Sequence, residues 1–203
     1  MSNQIELILF DLGGVLVELG DISTNTAWFK PELSPKENWD LWLTAPKSHA
    51  LEKGEISPRE FAEYFIRENS IEIDIDTFLD KFRDWVIGFY PGALSYLQNL
   101  SQSYRLGVFS NITEIHWPPL KQQLDASGAI TDYFASYLIG QAKPDVSAFQ
   151  FVAKQTEVLP EHILFLDDNL INVEGARSAG MVAHQVVGFH QLRPLLAQSG
   201  LSH

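Results

Sequence analysis

Two hydrophobic patterns divide the chain. Short, almost wholly apolar runs end on Asp, Ser or Gly: Leu7-Ile8-Leu9-Phe10 before Asp11, Arg105 to Phe109 before Ser110, Ile163-Leu164-Phe165-Leu166 before Asp167, and Val182 to Val187. Runs of that length and composition predict buried parallel strands. Between them, helical spacing predicts Gly92–Leu100, Asp145–Thr156 with Pro144 at or before its first turn, and Ile171–Ala179 stopped by Gly180. Asp132 to Ile139 reads as one or two short extended pieces. Leu12-Gly13-Gly14 reads as a tight turn, followed by the apolar stretch Val15-Leu16-Val17.

From about Glu18 to Tyr90 only helical spacing is visible, beginning with Trp28, Phe29, Trp39, Leu41, Trp42 and Leu43. Ser57 reads as an N-cap with Pro58 in the first helical position, opening a helix to Asn69 that aligns Phe61, Tyr64 and Phe65. Thr77–Gly88 is predicted as a further helix carrying Phe78, Leu79, Phe82, Trp85 and Val86. Strand–helix alternation on both sides of this segment predicts an α/β fold, a parallel sheet with an all-helical insertion after its first strand. An insertion at that point hangs over the strand ends, where a lid belongs.

A chain of 203 residues suits one such domain. No apolar run approaches the roughly 20 residues that span a bilayer, so no membrane partner is expected. The opening Met1-Ser2-Asn3-Gln4 has no basic segment leading into an apolar stretch, which argues against a secretory signal. The chain has no cysteine, leaving oxygen or histidine as metal ligands, and that absence fits a cytoplasmic setting. A formal charge of −12 argues against a nucleic-acid backbone as partner. It leaves room for a small phosphorylated substrate, because a metal ion and one lysine make a local positive field inside an acidic protein.

The chemistry concentrates where strands end. Asp11 closes one apolar run and Asp167-Asp168 another. In open α/β sheets the ligand sits beyond the carboxyl ends of the strands. Three carboxylates meeting there repel one another unless a hard cation lies between them, which points to Mg²⁺ and phosphate chemistry. Gly13, two residues after Asp11, has no side chain to serve as acid or base.

Asp11-Leu12-Gly13-Gly14-Val15-Leu16, Ser110-Asn111, Lys143-Pro144 and Asp167-Asp168-Asn169 stand in the order of the four motifs of the haloacid dehalogenase-like hydrolases. The resemblance covers essentially the whole chain. It is nearest to the subgroup that includes the bacterial α-glucose-1-phosphate phosphatase and the N-terminal phosphatase domain of soluble epoxide hydrolases. It implies a Rossmann-like three-layer core with strand order 3-2-1-4-5, formed by residues 1–17 and 91–203, and a small C1-type helical cap over residues 18–90. Activity would be that of a Mg²⁺-dependent phosphatase, with a sugar phosphate such as a hexose 1-phosphate as substrate.

On this resemblance Asp11 is the nucleophile, forming an aspartyl-phosphate; the residue alone also suits a turn cap. Asp168 would hold Mg²⁺ directly and Asp167 through water, together with Asp11 and the Gly13 carbonyl, although either of the paired aspartates also suits a helix N-cap. Ser110 and the Asn111 N–H would donate to phosphate oxygens, or form an ordinary turn. Lys143 beside a helix start is mildly unfavourable on dipole grounds; its ammonium would neutralise Asp11 and bind the phosphoryl group. His116 is a candidate substrate-binding acid, or packs against the cap with Trp117.

Of the cap residues, Trp28, Trp39, Trp42 and Trp85 are expected as core. His49, Glu52 and Glu55 are polar lid candidates, and Glu72, Asp74 and Asp76 form a solvated face. Most family phosphatases carry a second Asp at position 13, so the glycine leaves open a weak catalyst or a phosphate- or partner-binding module. Haloacid dehalogenation, the other branch, needs no Mg²⁺ and an aromatic residue at that position; Gly13 and the aspartate pair argue against it. A monomer or homodimer is expected.

Overall fold

A computed structural model describes residues 5–21 and 29–201. Five parallel strands form the main sheet: β1 (Leu7–Phe10), β4 (Arg105–Ser110), β5 (Asp132–Ala135), β6 (Ile163–Asp167) and β7 (Val182–Gln185), in spatial order β5-β4-β1-β6-β7. Counting these five alone in chain order, that is 3-2-1-4-5, as the resemblance implied. β1 pairs with β4 on one side and β6 on the other, so all of Leu7 to Phe10 is fully buried. The chain reverses its direction of winding beside β1, and a crevice opens at that switch point.

Alternation along β1 divides its side chains between two layers. Ile8 and Phe10 pack with Leu97, Leu124 and Leu192, from α5 (Ala93–Leu100), α6 (Trp117–Ser127) and α10 (Phe189–Gln198). Leu7 and Leu9 pack with Phe149 and Val173, from α8 (Val146–Thr156) and α9 (Leu170–Ser178). The protein is therefore an α/β sandwich with helices on both faces of a parallel sheet.

Among the described residues, four helices lie between Val17–Leu19 and Val86–Phe89: α1 (Pro35–Leu43), α2 (Ser48–Glu52), α3 (Pro58–Asn69) and α4 (Ile75–Arg83). They share a separate apolar cluster of Phe29, Leu51, Phe61, Phe65, Phe78, Phe82 and Trp85, with Trp42 packed against it. Ser57 and Glu60 form a capping box at α3 with Pro58 behind them, and Ser34 and Glu37 form a second at α1. Trp28 lies outside the described residues, as does the side chain of Trp39.

The predicted helix Thr77–Gly88 is corrected. The helix begins earlier, where Asp74 Oδ1 accepts from Thr77 N at 2.9 Å, and it ends at Arg83. Val86–Phe89 is instead a strand, β3, antiparallel to β2 (Val17–Leu19). The segment is helical in its body but rises from the core on a two-stranded ribbon. Asp74 thus caps a helix and, with Glu72 and Asp76, remains exposed on the solvated acidic face expected. Asp132 to Ile139 divides into β5 and a helical turn, α7 (Ser136–Ile139).

Candidate active site

Asp11 leaves β1 with its N–H held by the Leu166 carbonyl at 2.8 Å, which fixes it beside the end of β6. The chain then turns sharply, the amides of Val15, Leu16 and Val17 all returning to the Leu12 carbonyl. Gly14 has φ +68°, and a Cβ there would stand 2.2 Å from Asp168 Oδ2. Only glycine lets the Asp168 carboxylate close over the turn. Oxygens of Asp11, Asp167 and Asp168 consequently lie within 4.8 Å of one another.

Lys143 enters from the loop before α8 and is 2% exposed. Its Nζ lies 2.6 Å from Asp167 Oδ2 and 2.9 Å from Asp11 Oδ1. The ammonium stands over the rings of Phe109 and Phe165, at 5.6 and 5.4 Å from their centroids. Asn111, just past β4, fixes the lysine backbone: its Oδ1 accepts from Lys143 N at 2.9 Å and its Nδ2 donates to Lys143 O at 2.8 Å. Ser110, the last residue of β4, is buried in the same crevice.

Asp167 is fully buried and its acceptor capacity is spent on the protein. Besides Lys143 it accepts from Asn172 Nδ2 at 3.1 Å and from Asn169 N at 2.8 Å. It serves as the lysine's counter-ion. Asp11 and Asp168 differ. Burial raises Asp11 to about 7, opposed by Lys143 and reinforced by Asp167 and Asp168. Burial and then Asp167 raise Asp168 in the same direction. Burial alone would lower Lys143, but the Asp11 and Asp167 carboxylates hold it above its ordinary value.

Three carboxylates against one ammonium leave a surplus of negative charge at the strand ends. Asp11 Oδ1 is buried, with the Lys143 ammonium at 2.9 Å as its neighbour. Hard oxygen donors gathered within 4.8 Å, carrying more negative charge than one ammonium neutralises, fit Mg²⁺, and the absence of cysteine from the chain excludes thiolate ligands.

Residues named from sequence fall in three groups. Asp11, Gly13, Ser110, Asn111, Lys143 and Asp168 line one crevice, and Asp167 lies directly behind it. His116 reaches the same crevice but has both ring nitrogens engaged. Nε2 is 2.7 Å from the Phe82 carbonyl of α4 and Nδ1 3.3 Å from Thr113 Oγ1. Since a carbonyl only accepts, Nε2 carries the proton, and His116 ties the helical segment to the core rather than facing a leaving group. Of the lid residues, Glu52 Oε2 accepts from Asn111 Nδ2 at 3.1 Å, and His49 lies 3.9 Å from Glu52. Glu55 borders a separate hollow.

Two contributors escaped the sequence. Asn172 holds Asp167 from one helical turn beyond the aspartates. Leu19 lies over Gly13, where a Cβ would meet its Cδ1 at 3.2 Å. Above the polar floor the crevice is a cavity of about 240 Å³, walled by Leu19, Trp42, Leu51, Phe82, Trp85 and Val86.

Fold and site together define a hydrolase of the haloacid dehalogenase-like class: the model of that family matches residues 5–180, and the chain belongs to it. It is a hydrolase acting on phosphate esters. A protein named as a phosphatase in Mycobacterium tuberculosis is 35% identical, over 90% of this chain and 88% of its own. The D-ribitol-5-phosphate phosphatase of Bacteroides thetaiotaomicron is 26% identical, over 90% and 92%. A HAD-family enzyme of the same bacterium, solved with magnesium and inorganic phosphate, superposes with a TM-score of 0.75 at 22% identity, over 91% of this chain and 96% of its own.

Proposed function

We propose that the protein is a Mg²⁺-dependent phosphatase of small phosphorylated metabolites that works through an aspartyl-phosphate on Asp11. The observation that carries this reading is the ammonium of Lys143 held between Asp11 and Asp167 at the mouth of the sheet. Asp11 and Asp168, with the Gly13 carbonyl, would hold the metal, and Asp167 would act at one remove. Bound there, Mg²⁺ would supply charge neutralisation for the phosphoryl oxygens.

An Asp11 oxygen attacks phosphorus while the bond to the leaving oxygen breaks, taking its electron pair with it. Lys143, Ser110 and the Asn111 N–H stabilise the charge spread over the phosphoryl oxygens. Water then attacks phosphorus and releases Asp11 and inorganic phosphate. Splitting the displacement in two lowers each barrier. The sequence resemblance points to sugar phosphates, hexose 1-phosphates among them, and a polyol phosphate is named for one relative; the walls of the crevice favour another leaving group.

The test is phosphate release by purified protein with Mg²⁺ from a broad phosphoester panel, beside Asp11→Asn. Turnover lost in the variant supports the reading. Activity that survives the substitution unchanged contradicts it. One observation favours a second reading, a phosphate-binding module: position 13 carries no acid and Leu19 covers it. Phosphate bound by a protein inert toward the whole panel would select that alternative.

A further inference from the structure

We propose that the leaving group this crevice accepts is a single apolar ring, so that its substrate class is aryl phosphate monoesters; this rests on the phosphatase reading above. Two independent features of the site lead there.

The first is the wall. Leu19, Trp42, Phe82, Trp85 and Val86 face the cavity above the phosphate floor. Of the polar side chains that line the cavity beyond the phosphate floor, His116, Thr113 and one oxygen of Glu52 are engaged within the protein. His116 and Thr113 face each other, His116 also donates to the Phe82 carbonyl, and Glu52 accepts from Asn111. A sugar seated here would bury several hydroxyls with few partners, which is unfavourable, whereas a ring gains by leaving water. The volume, about 240 Å³, lies below the roughly 300–1,000 Å³ of sites for larger ligands. It suits a phosphoryl group and one ring. Leu19, 42% exposed, stands at the mouth as an apolar side chain otherwise left to solvent.

The second feature is the missing proton donor. Gly13 has no side chain, Leu19 occupies the space above it, and His116 is tied to the helical segment. A leaving oxygen that departs unprotonated must bear its charge alone. A phenolate does so by delocalisation; an alkoxide does not. In balance, the Asp11–phosphorus bond forms as the phosphorus–oxygen bond to the ring breaks. Water then supplies hydroxide to phosphorus as the bond to the Asp11 oxygen breaks and returns its electron pair to the carboxylate, and supplies, through solvent, a proton to the phenolate, giving a phenol and inorganic phosphate.

The experiment separates wall from chemistry, using the full chain with Mg²⁺ and four phosphates: phenyl, benzyl, glucose 6- and acetyl. Benzyl phosphate and glucose 6-phosphate both leave as primary alkoxides, so their comparison reads the wall. The KM for benzyl phosphate is expected to be lower by about tenfold or more, the scale set by burying part of a ring. Phenyl phosphate is expected to exceed benzyl phosphate in kcat. Leu19→Ser, at an exposed position, is expected to raise the benzyl phosphate KM several-fold. A KM for glucose 6-phosphate equal to or below that for benzyl phosphate overturns the proposal and leaves the phosphatase reading standing. Failure of all four, acetyl phosphate included, overturns both.

Discussion

The Lys143 ammonium stands 2.6 Å from Asp167 Oδ2, and both side chains are sealed from water. Neither charge is tolerable there alone. Removing one partner of a buried pair typically costs about 3–5 kcal/mol because the other is left uncompensated. Lys143→Met is expected to lose stability on that scale in urea unfolding. Lys143→Met with Asp167→Asn is expected to recover part of the loss, a coupling that a double-mutant cycle measures. Additive losses would show that the pair is not a unit.

Gly14 makes a second relationship testable. Its φ is +68°, and a Cβ would stand 2.2 Å from Asp168 Oδ2. Gly14→Ala both strains the turn and displaces the carboxylate. The Mg²⁺ concentration needed for half-maximal activity is expected to rise on the order of tenfold or more, read by titrating the ion at saturating substrate. An unchanged requirement would remove Asp168 from the metal site.

His116 sets a pH dependence. Burial holds its pKa below the ordinary 6.5, so the folded ring stays neutral where the unfolded ring takes up a proton. The unfolded state then binds more protons, and stability rises with pH through that range. The contribution is present above about 6.5 and is lost as pH falls below it. His116→Gln is expected to flatten the slope of unfolding free energy between neutral pH and pH ~5. An identical slope in the variant would deny the residue this role.

Gly13→Asp restores a group able to protonate the leaving oxygen. Acid–base help of this kind is typically worth about 10²- to 10⁴-fold. Leu19 Cδ1, at 3.2 Å from the new Cβ, must give way, so the gain is expected near the lower end, on the order of 10²-fold for alkyl phosphates. Phenyl phosphate should gain far less. Leu19→Ala added to Gly13→Asp is expected to increase the alkyl gain. No gain for alkyl phosphates in either variant would show that another group already supplies the proton.

The legible parts of the molecule were those written into contiguous residues. An apolar run ending on Asp announces a buried strand with a carboxylate at its tip, and β1 and β6 meet as Leu7 to Phe10 and Ile163 to Asp167 suggested. The Ser57 cap and Pro58 mark their helix locally. What pairs through space left no such trace. Val86–Phe89 keeps a helical hydrophobic spacing and becomes a strand only because Val17–Leu19 lies beside it.

The same limit applies in the site. Asp167 and Asp168 look equivalent in sequence. Asn172 and Lys143, reaching Asp167 from elsewhere in the chain, turn one into a counter-ion, and Gly14 gives the other its access to the crevice. His116 could be named from sequence but not aimed. Its bond to the Phe82 carbonyl joins residues 34 positions apart. Leu19 carries no chemical signal, and only the ribbon places it over Gly13.

The central claim is that phosphorus passes through Asp11. Acid quenching of the enzyme during turnover of phosphate-labelled acetyl phosphate with Mg²⁺, followed by peptide mapping, tests it directly. The expected result is a phosphoryl label on Asp11 within the peptide that contains Leu7–Phe10, absent in Asp11→Asn together with turnover. Rapid turnover with the label on another residue, or undiminished in Asp11→Asn, would contradict it.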